Sequence, residues 1–421
     1  MSQPTYDVIV VGGGAAGMMA AGRAGECGAR TLLLEKMPRL GTKVRITGKG
    51  RCNLTNIASR EVFISHFGSQ GRFLNNAFGR FFSEDLRALL ERFGVPTKVE
   101  RGGRVFPLSD QALDVVIALE RYMRTNRVEI RLNTPARGLI LRDNAIAGVR
   151  TDAGPIAGRA VILAAGGMSY PGTGSTGDAY PWLEALGHTI HPLRPALVPL
   201  ETQEPWSHAL AGLTLRNVRV TLLVNGQKRH SQFGEMLFTH FGVSGPIILS
   251  MSTLAVDALA EGCVQISIDL KPALRDEELD ARLQRELDAH GRQAIKTIAK
   301  NLLPQRLIPP VLELAGIPPD KVAGQITAAE RRRLAGVLRD LRLTVTGSRS
   351  FREAMVTAGG VDVNEVDPRT MESKLVKGLY IVGELLDVHA DTGGYNLQAA
   401  FSTGYVAGGA AAERARAMAE G

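Results

Sequence analysis

A glycine-rich stretch near the N-terminus constrains the fold of this chain more than any other feature. The spacing G-x-G-x-x-G is formed by Gly12, Gly14 and Gly17. It follows the β-branched run Tyr6–Val11 and precedes residues 15–27, which are rich in Ala, Gly and Met and long enough for a helix. A second apolar run, residues 31–34, ends in Glu35. A strand, this loop, a helix and a strand that ends in an acid together predict a βαβ unit that binds a dinucleotide.

Each glycine of the motif has its own physical role in such a site. Gly12 permits the tight turn, Gly14 lets the backbone approach a pyrophosphate, and Gly17 lets helix and strand pack closely. The first N–H groups of the helix and its positive dipole end attract the anion. The positions expected to bind it there are Ala15 and Ala16. Glu35 is expected to accept hydrogen bonds from the adenosine ribose.

Two later segments also have the character of strand ends at a cofactor. One apolar run ends in Ala165, Gly166 and Gly167, and another, near the C-terminus, ends in Gly383 and Glu384. Three strand ends at such distant positions are typical of flavoproteins of the glutathione-reductase type, and this resemblance indicates FAD rather than NAD. In those proteins the glycine–acid pair binds the ribityl chain or a phosphate. The predicted fold class is therefore α/β, with a Rossmann-like FAD-binding domain.

Several prolines between Pro192 and Pro199 mark a change of character and predict a domain boundary. We expect residues 1–193 to form the N-terminal part of the FAD-binding domain and residues 347–421 to complete it. The inserted region 194–346 is expected to hold a β-barrel-like part at 194–272 and a helical part at 273–342. The helices expected beyond the first βαβ unit are residues 109–124, with Ser109 as the cap, 275–290, 292–301, 304–314, 328–341 and a last helix from about Asn396.

Five longer segments narrow the resemblance. They are residues 47–56, 167–178, 237–246, 356–361 and 383–398. These segments closely resemble signature motifs of the BaiN/RdsA-type flavoproteins, a family also described as aminoacetone-oxidase-like, and the resemblance extends over essentially the whole chain. Lys49 departs from it, because many members have another glycine there. The resemblance implies an FAD domain interrupted by a β-barrel-like domain and a small helical domain.

The resemblance also implies a catalytic loop. Gly50, Arg51, Cys52 and Asn53 lie on a segment that is implied to approach the isoalloxazine ring. Cys52 can act as a general acid if its thiol stays protonated, whereas the cations around it favour the thiolate. A packed cysteine that does not react is the alternative. Arg51 is a further catalytic candidate, and His240 is either a proton donor near the substrate or a structural histidine.

The N-terminus of a second helix is expected to stabilise the negative charge of the reduced flavin. The segment just before the last helix comprises Gly394, Tyr395, Asn396 and Leu397. A helix N-terminus there would supply positive potential near N1 and O2 of the ring. An ordinary glycine-rich helix start is the alternative.

Basic residues cluster after the first βαβ unit. From Arg39 to Arg51 there are five cations and no acid, and the whole chain has a net charge of +8 at pH 7. Two uses are open for this cluster: it neutralises the FAD phosphates, with Lys36 and Lys43 as ligands, or it follows the phosphates of an RNA substrate. Residues that would extend the surface are Arg101, Arg104 and residues 331–333, although the last run also fits a solvated helix face.

The remaining sequence features exclude several classes of protein. The cysteines Cys27, Cys52 and Cys263 are far apart and form no CxxC pair, so we expect no metal site, no disulfide framework and no disulfide-reductase chemistry. The apolar run 8–21 is too short to cross a bilayer, and no cleavable signal is evident. A cytoplasmic protein without a membrane partner is therefore expected. No second G-x-G-x-x-G follows a strand, so NAD(P)H is expected to dock transiently at the flavin rather than on its own domain.

Four functions remain open. The favoured one is an NAD(P)H-dependent reductase of an activated C=C bond, and family resemblance includes members that convert uridine of large-subunit ribosomal RNA to dihydrouridine. The second is an amine or aminoketone oxidase that acts on a small molecule and releases hydrogen peroxide. The third is a reductase of enoyl or steroid-like substrates. The non-enzymatic alternative is an FAD-bound RNA-binding factor.

Overall fold

The computed structural model describes residues 6–420, and the chain divides into two compact units. Unit one runs up to Ala196 and resumes at Phe351, and unit two is Leu197–Ser350. The sequence placed the corresponding boundaries after residues 193 and 346, a few residues earlier in each case. Each unit encloses its own buried apolar core.

The first part of unit one alternates helices and strands. Its strands are β1 (Tyr6–Val11), β2 (Thr31–Leu34), β3 (Thr55–Asn56), β4 (Thr97–Val99), β5 (Arg104–Pro107), β6 (Glu129–Arg131), β7 (Ala136–Arg142), β8 (Ala145–Thr151), β9 (Gly154–Leu163) and β10 (Ile190–Ala196). Its helices are α1 (Ala15–Glu26), α2 (Thr42–Ile46), α3 (Arg60–Ser65), α4 (Asn75–Arg80), α5 (Ser83–Arg92), α6 (Ala112–Thr125) and α7 (Tyr180–Ala185). Short 3₁₀ helices lie at Thr47–Gly50, Gly68–Leu74 and Pro171–Thr173.

Unit two is built from a barrel and helices. Its strands are β11 (Leu200–Thr202), β12 (Thr214–Val224), β13 (Gln227–Thr239), β14 (Gly242–Ser244), β15 (Val264–Asp269) and β16 (Leu341–Ser348). Its helices are α8 (Pro205–Ala209), α9 (Pro246–Ala258), α10 (Asp276–Ala289), α11 (Ile295–Ile298), α12 (Ile308–Leu314) and α13 (Ala328–Arg339). The strands close in the order β11-β14-β13-β12-β15-β16 with antiparallel neighbours. Alternate residues of β15 are buried, as a strand with one face on a core requires.

The chain then returns to unit one through β17 (Val356–Val361), β18 (Leu379–Ile381) and the long helix α14 (Gly393–Glu420). In the main sheet β6, β2, β1, β9 and β18 run parallel, and β8 and β7 continue from β9 as an antiparallel meander. The register pairs Val11 with both Leu34 and Leu163, and Leu163 with Ile381. The three strand ends singled out in the sequence therefore meet at one edge of the sheet, where ligands bind in doubly wound folds.

Helices α1 and α14 pack backbone to backbone beside this edge. A Cβ atom on Gly404 would lie 2.3 Å from the Ala16 carbonyl oxygen, and one on Gly408 would lie 2.4 Å from that of Ala20. These glycines are four residues apart, so they share one face of α14. The close packing holds the N-terminal helix of the dinucleotide motif against the C-terminal helix.

Several predicted helices differ from the observed ones. α6 begins at Ala112 and not at Ser109, because the Ser109 hydroxyl bonds to the Asp114 carboxylate (2.6 Å) and lies outside the helix. The predicted helix 292–301 is only α11 followed by a 3₁₀ turn, and 304–314 is a 3₁₀ turn before α12. The last helix begins at Gly393, three residues before the predicted Asn396, because the Asn396 side chain stabilises the loop that enters the helix.

Candidate functional site

The first glycine loop has a geometry that only glycine can adopt at two positions. Gly12 has φ +106°, and a Cβ atom there would lie 2.4 Å from the Ala164 carbonyl oxygen. A Cβ atom on Gly17 would lie 1.8 Å from the carbonyl oxygen of Gly12. The tight turn and the close contact of helix with strand both depend on the missing side chains.

The N-terminus of α1 is open for an anion. Gly14 is the N-cap of α1 and provides no side-chain cap, and the first turn contains no acidic residue. A Cβ atom on Gly14 would meet no atom of the described chain within 4 Å, so the backbone here faces free space. Uncapped N–H groups at the positive end of a helix fit a diphosphate group. The residues present at this edge therefore fit a dinucleotide, and the amides that would hold its phosphates include those of Ala15 and Ala16.

Glu35 is tied to the same loop. Its carboxylate accepts hydrogen bonds from the Gly13 N–H (2.6 Å) and the Met37 N–H (2.7 Å). Burial raises the pKa of Glu35 above its ordinary value, although both hydrogen bonds oppose that shift. Each carboxylate oxygen has a second lone pair, so the predicted contact with a ribose stays possible in chemical terms. What the structure adds is that Glu35 also fixes the glycine loop.

The Glu384 carboxylate, by contrast, is hydrogen-bonded to other groups of the protein. One carboxylate oxygen accepts hydrogen bonds from the Ser169 hydroxyl (2.5 Å) and the Thr357 N–H (2.8 Å), and the other accepts one from the Lys43 ammonium (2.6 Å). The side chain thus links α2, the end of β9 and β17. This arrangement argues against the Glu384 and Lys43 side chains as direct ligands of the ribityl chain or phosphates. Gly383, at φ +67°, leaves its backbone as the part that can contact a cofactor.

Lys36 is neutralised in a similar way. Its ammonium donates hydrogen bonds to Thr176 (2.5 Å) and Asp178 (2.6 Å). At the end of β9, only backbone groups are left to contact a ligand. Gly166 has φ +74°, and a Cβ atom on Gly167 would lie 2.4 Å from the Thr357 hydroxyl oxygen. Ala165, half-buried, precedes these two residues. The loop after β9 therefore needs its small residues, whereas Lys36 serves an ion pair.

Several residues of the second glycine-rich loop, residues 47–53, have backbone angles in the left-handed region of φ/ψ space. Gly48, Lys49, Gly50 and Cys52 all have φ between +57° and +84°. Such a backbone costs about 1–2 kcal/mol at each residue that carries a Cβ atom. Lys49 has a φ of +60°, a conformation that suits glycine better than a residue with a Cβ atom.

The Arg51 side chain forms ion pairs with two carboxylates of the protein. Its guanidinium donates hydrogen bonds to Asp110 (2.9 Å from Nε) and to Glu100, and it lies over the Phe106 ring at 4.2 Å. The hydrogen bonds to Glu100 and then to Asp110 raise the pKa of Arg51 above its ordinary value. Lys98 shares Asp110 at 2.6 Å. The proposal that Arg51 acts on cofactor or substrate is therefore disfavoured, because a guanidinium held this way stabilises the loop.

Cys52 is fully buried, with 0% of its surface exposed. Burial raises the pKa of its thiol to about 12, and a weaker hydrogen bond with Thr47 opposes the shift. The thiol therefore stays protonated despite the cations in the sequence around it, which decides the conflict between thiol and thiolate. However, a thiol with no exposed surface cannot reach a substrate. Burial thus argues against Cys52 as the proton donor and favours the packed cysteine.

Asn53 lies against the start of α14. A Cβ atom on Gly394 would be 2.8 Å from the Asn53 amide nitrogen. The Asn53 carbonyl oxygen Oδ1 is buried and has no hydrogen-bond partner among the described residues. A buried acceptor without a partner is costly, so this amide fits a position beside a hydrogen-bonding ligand. Loop 47–53 and the start of α14 are thereby brought together.

The Tyr395 and Asn396 side chains at the start of α14 both have partners within the protein. Asn396 accepts a hydrogen bond from the Ala390 N–H (2.9 Å) and donates to the carbonyl oxygens of Ala390 (2.9 Å) and Thr392 (2.8 Å). The Tyr395 ring is buried against Phe63, with 4.2 Å between ring centroids. The role predicted for this segment stays a prediction, and its backbone N–H groups, including that of Leu397, are the groups left to fill it.

Sequence reasoning missed one pair of functional groups beside this helix. His66 and Asp391 are hydrogen-bonded, with 2.7 Å between Nδ1 and Oδ1. They lie 325 residues apart in the chain, and no local pattern joins them. The one available signal is that Asp391 immediately precedes the conspicuous Thr-Gly-Gly-Tyr-Asn motif.

His240 lies in unit two, on the turn between β13 and β14. Its side chain is exposed and meets the Phe241 ring edge to face, with 4.9 Å between centroids. Its role as a proton donor stays a prediction. Residues 331–333 lie on α13, where Arg331 pairs with Asp280 at 2.7 Å, in keeping with the solvated helix face.

No metal-binding cluster of three or more His, Cys, Asp and Glu side chains occurs within residues 6–420. Over the same residues, no helix combines the length and apolar character that crossing a membrane would require.

Comparison with known proteins identifies the family. Residues 6–410 match the HI0933-like protein Rossmann domain. The chain belongs to the HI0933-like family. A full-length relative from Clostridium scindens, named 3-dehydro-bile acid delta(4,6)-reductase, is 34% identical over 96% of this chain and 98% of its own. Another, the ribosomal RNA dihydrouridine synthase of Escherichia coli K12, is 31% identical over 95% of this chain and 96% of its own.

The HI0933-like chain also resembles solved structures in fold. A flavocytochrome c3 fumarate reductase in an open conformation aligns with a TM-score of 0.54 and 18% identity, over 98% of this chain and 79% of the other. The predicted Rossmann-like FAD-binding fold is therefore confirmed, as is the resemblance to the BaiN/RdsA-type flavoproteins. The protein is a flavin-type oxidoreductase of this family.

Proposed function

We propose that this protein is an FAD-dependent, NAD(P)H-consuming reductase of an activated C=C bond, and that its substrate is a uridine of ribosomal RNA. The chemistry is common to the two full-length relatives, since one is named as a reductase of a bile acid and the other as a dihydrouridine synthase. What separates their substrates is charge: a bile acid is small and carries at most a few charges, whereas RNA carries one phosphate per nucleotide.

The observation that carries the proposal is a concentrated positive charge. Residues 39–80, which we name the basic segment, contain eight Lys and Arg residues and one acid, Glu61. They account for +7 of the net charge of +8. Five of these cations are exposed and have no ion pair among the described residues: Arg39, Lys49, Arg60, Arg72 and Arg80. A single carboxylate needs one such partner, whereas a phosphate backbone uses many.

The chain's own residues would bind the cofactor mainly through backbone. Amides at the N-terminus of α1 would hold the diphosphate, and amides at the start of α14 would face the pyrimidine end of the ring. When bound, FAD supplies the hydride. The Asn53 amide, which lies against Gly394, would hydrogen-bond in the same region. A uridine must leave its base stack to reach the ring, and the basic segment would hold the flanking phosphates.

The test measures reduction and reoxidation of the flavin, and then the RNA product, with the purified holoprotein. Anaerobic addition of NADH or NADPH should bleach the flavin, and an unmodified large-subunit rRNA transcript should restore its colour. Mass spectrometry of the digested RNA should then show uridine that has gained two hydrogens. A failure of RNA to reoxidise the bleached flavin, or an absence of RNA binding at low salt, would overturn the RNA assignment.

A second candidate substrate has one specific observation in its favour. The relative named as a bile acid reductase is slightly more similar, at 34% identity, than the ribosomal RNA synthase at 31%. An unsaturated 3-keto bile acid is therefore the second acceptor in the same experiment. Reoxidation by this acceptor alone would assign the protein to the steroid-like substrates.

A further inference from the structure

The His66–Asp391 pair is a cluster of two titratable side chains near the start of α14 that the site described above leaves without a role. His66 follows α3, and Asp391 stands two residues before α14. Besides the 2.7 Å contact between Nδ1 and Oδ1, the Asp391 N–H donates to the His66 carbonyl oxygen at 3.4 Å. Two contacts, one from side chain and one from backbone, therefore join these distant segments.

The imidazole is held in one orientation. Its ring lies 4.2 Å from the Tyr395 ring at an angle of 30°, and Tyr395 is itself packed against Phe63. The side chain of His66 is 29% exposed and that of Asp391 is 43% exposed, unlike the fully buried Cys52. The Nε2 atom of His66 has no hydrogen-bond partner among the described residues. With Nδ1–H donated to the carboxylate, Nε2 is the nitrogen left to exchange a proton with a substrate.

The proposed reduction needs such a group. Adding hydride to one carbon of a C=C bond requires a proton at the other, and a positioned side chain supplies it. Cys52 is sealed from substrate, and Arg51 is held by two carboxylates. The sequence-based candidates in unit one are therefore both disfavoured for this role.

We propose that His66 is the proton donor of this reaction and that Asp391 is its positioning residue; the assignment rests on the proposed function. When bound and reduced, FAD would supply a hydride to one carbon of the C=C bond. The π electron pair would then form a bond from the other carbon to the proton on Nε2 of the protonated His66, and the electrons of that N–H bond would stay on Nε2. The acceptor would gain two hydrogen atoms in total, one as hydride and one as proton, and His66 would be left neutral. NAD(P)H would supply the next hydride, and water would return the proton to His66.

Asp391 acts through His66. Its carboxylate accepts the hydrogen bond from Nδ1–H and so fixes the tautomer and orientation of the ring, as the orienting carboxylate of a catalytic triad does. Tyr395 limits rotation of the ring. The pair also lies at the helix start where Gly394 meets Asn53, which is where the proposed function puts the ring end of the cofactor.

The experiment separates the two half-reactions in His66→Gln and Asp391→Asn. His66→Gln keeps a hydrogen bond to Asp391 but cannot donate a proton as an acid. Its FAD content, melting temperature, RNA affinity and rate of anaerobic bleaching by NAD(P)H should match the wild type. Reoxidation by the rRNA transcript or by the unsaturated keto acid should be at least about 100-fold slower, the lower range for a lost general acid. The reoxidation rate of Asp391→Asn should lie between those of the wild type and His66→Gln.

His191→Gln is the matched control. His191 is another partly exposed histidine of unit one that faces an aspartate, Asp362, at 3.6 Å. This variant should leave both half-reactions unchanged. A second readout does not depend on turnover: nitrogen NMR of the histidine side chains should show the proton of His66 on Nδ1, and Asp391→Asn should abolish that preference.

The outcomes distinguish the two proposals. If the wild type is bleached but neither C=C acceptor reoxidises it, the proposed function fails, and the His66 assignment fails with it. If the wild type is reoxidised and His66→Gln is reoxidised equally fast, His66 is not the donor and the proposed function stands. A variant that loses FAD or stability in parallel with activity, together with an unchanged tautomer in Asp391→Asn, would show a structural pair and overturn the assignment.

Discussion

The two glycine-rich loops of unit one differ in how they serve the site. Loop 12–17 places glycine wherever the backbone turns or touches, and it works through N–H groups. In loop 47–53, two residues that carry a Cβ atom, Lys49 and Cys52, adopt left-handed conformations, and the Arg51 side chain is paired with internal carboxylates. Backbone roles can therefore be predicted from residue type, whereas side-chain roles depend on partners that only the folded chain supplies.

The largest expected effect contrasts two glycines of the first loop. Gly17→Ala should destabilise the protein by about 3 kcal/mol and abolish FAD binding, because overpacking costs about 1–3 kcal/mol and this Cβ atom meets a backbone carbonyl. Gly14→Ala should hardly change the stability of the FAD-free protein, since its Cβ atom enters open space, but should weaken FAD binding. Thermal melts with and without FAD measure both. Equal melting temperatures for the two FAD-free variants would contradict the comparison.

Cys52→Ala tests the second loop. The folded pKa of the thiol is about 12, above the ordinary value of 9.0. The stabilisation from this shift is thus complete below pH 9 and is lost as the pH rises from 9 towards 12, because only the unfolded chain ionises there. The free energy of unfolding should therefore fall more steeply over this range in the wild type than in Cys52→Ala.

The exposed cysteine provides the control for that experiment. Cys263→Ala should keep the wild-type pH dependence. Cys52→Ala should also retain reductase activity, because the thiol does not reach substrate. A loss of reoxidation by acceptor with normal flavin bleaching would restore Cys52 as the proton donor.

Replacing each of the two cations of the same loop by glutamine, which removes one positive charge in each case, distinguishes their roles. Lys49→Gln should leave the melting temperature unchanged and reduce the salt dependence of RNA binding by about 0.7 in the log–log slope, the value for one phosphate contact on a single strand. Arg51→Gln should lower the melting temperature, because it leaves Glu100 and Asp110 without this partner. Its salt slope should change little. Filter binding over a salt series and thermal melts give both values, and a reversed pattern would refute the assignment.

The smallest expected effect concerns backbone strain. Lys49→Gly should stabilise the protein by about 1 kcal/mol, because glycine adopts φ +60° without the cost borne by a residue with a Cβ atom. Lys49→Ala keeps that cost and should be neutral. Equal stability of both variants in chemical denaturation would show that the left-handed backbone carries no strain here.

Much of the fold followed from the sequence, and less of the site did. The βαβ unit was predictable because glycine spacing and apolar patterns act locally, and the resemblance to known flavoproteins supplied the expectation that three distant strand ends serve one cofactor. Helix 292–301 was predicted too long, because only Ile295–Ile298 form an α-helix and a 3₁₀ turn follows. The candidate catalytic side chains were less predictable, since their burial and pairing depend on residues far away in the chain.

The sequence by itself determined the dinucleotide fold and, through the resemblance of its longer motifs, indicated the family. It also predicted the backbone groups proposed to face the cofactor, because glycine spacing carries that information within a few residues. The tertiary structure alone decided which charges are free. It paired Lys43 with Glu384 and Arg51 with Glu100, buried Cys52, and brought His66 to Asp391. Burial and ion pairing are properties of neighbours in space, and these neighbours are separated by up to several hundred residues.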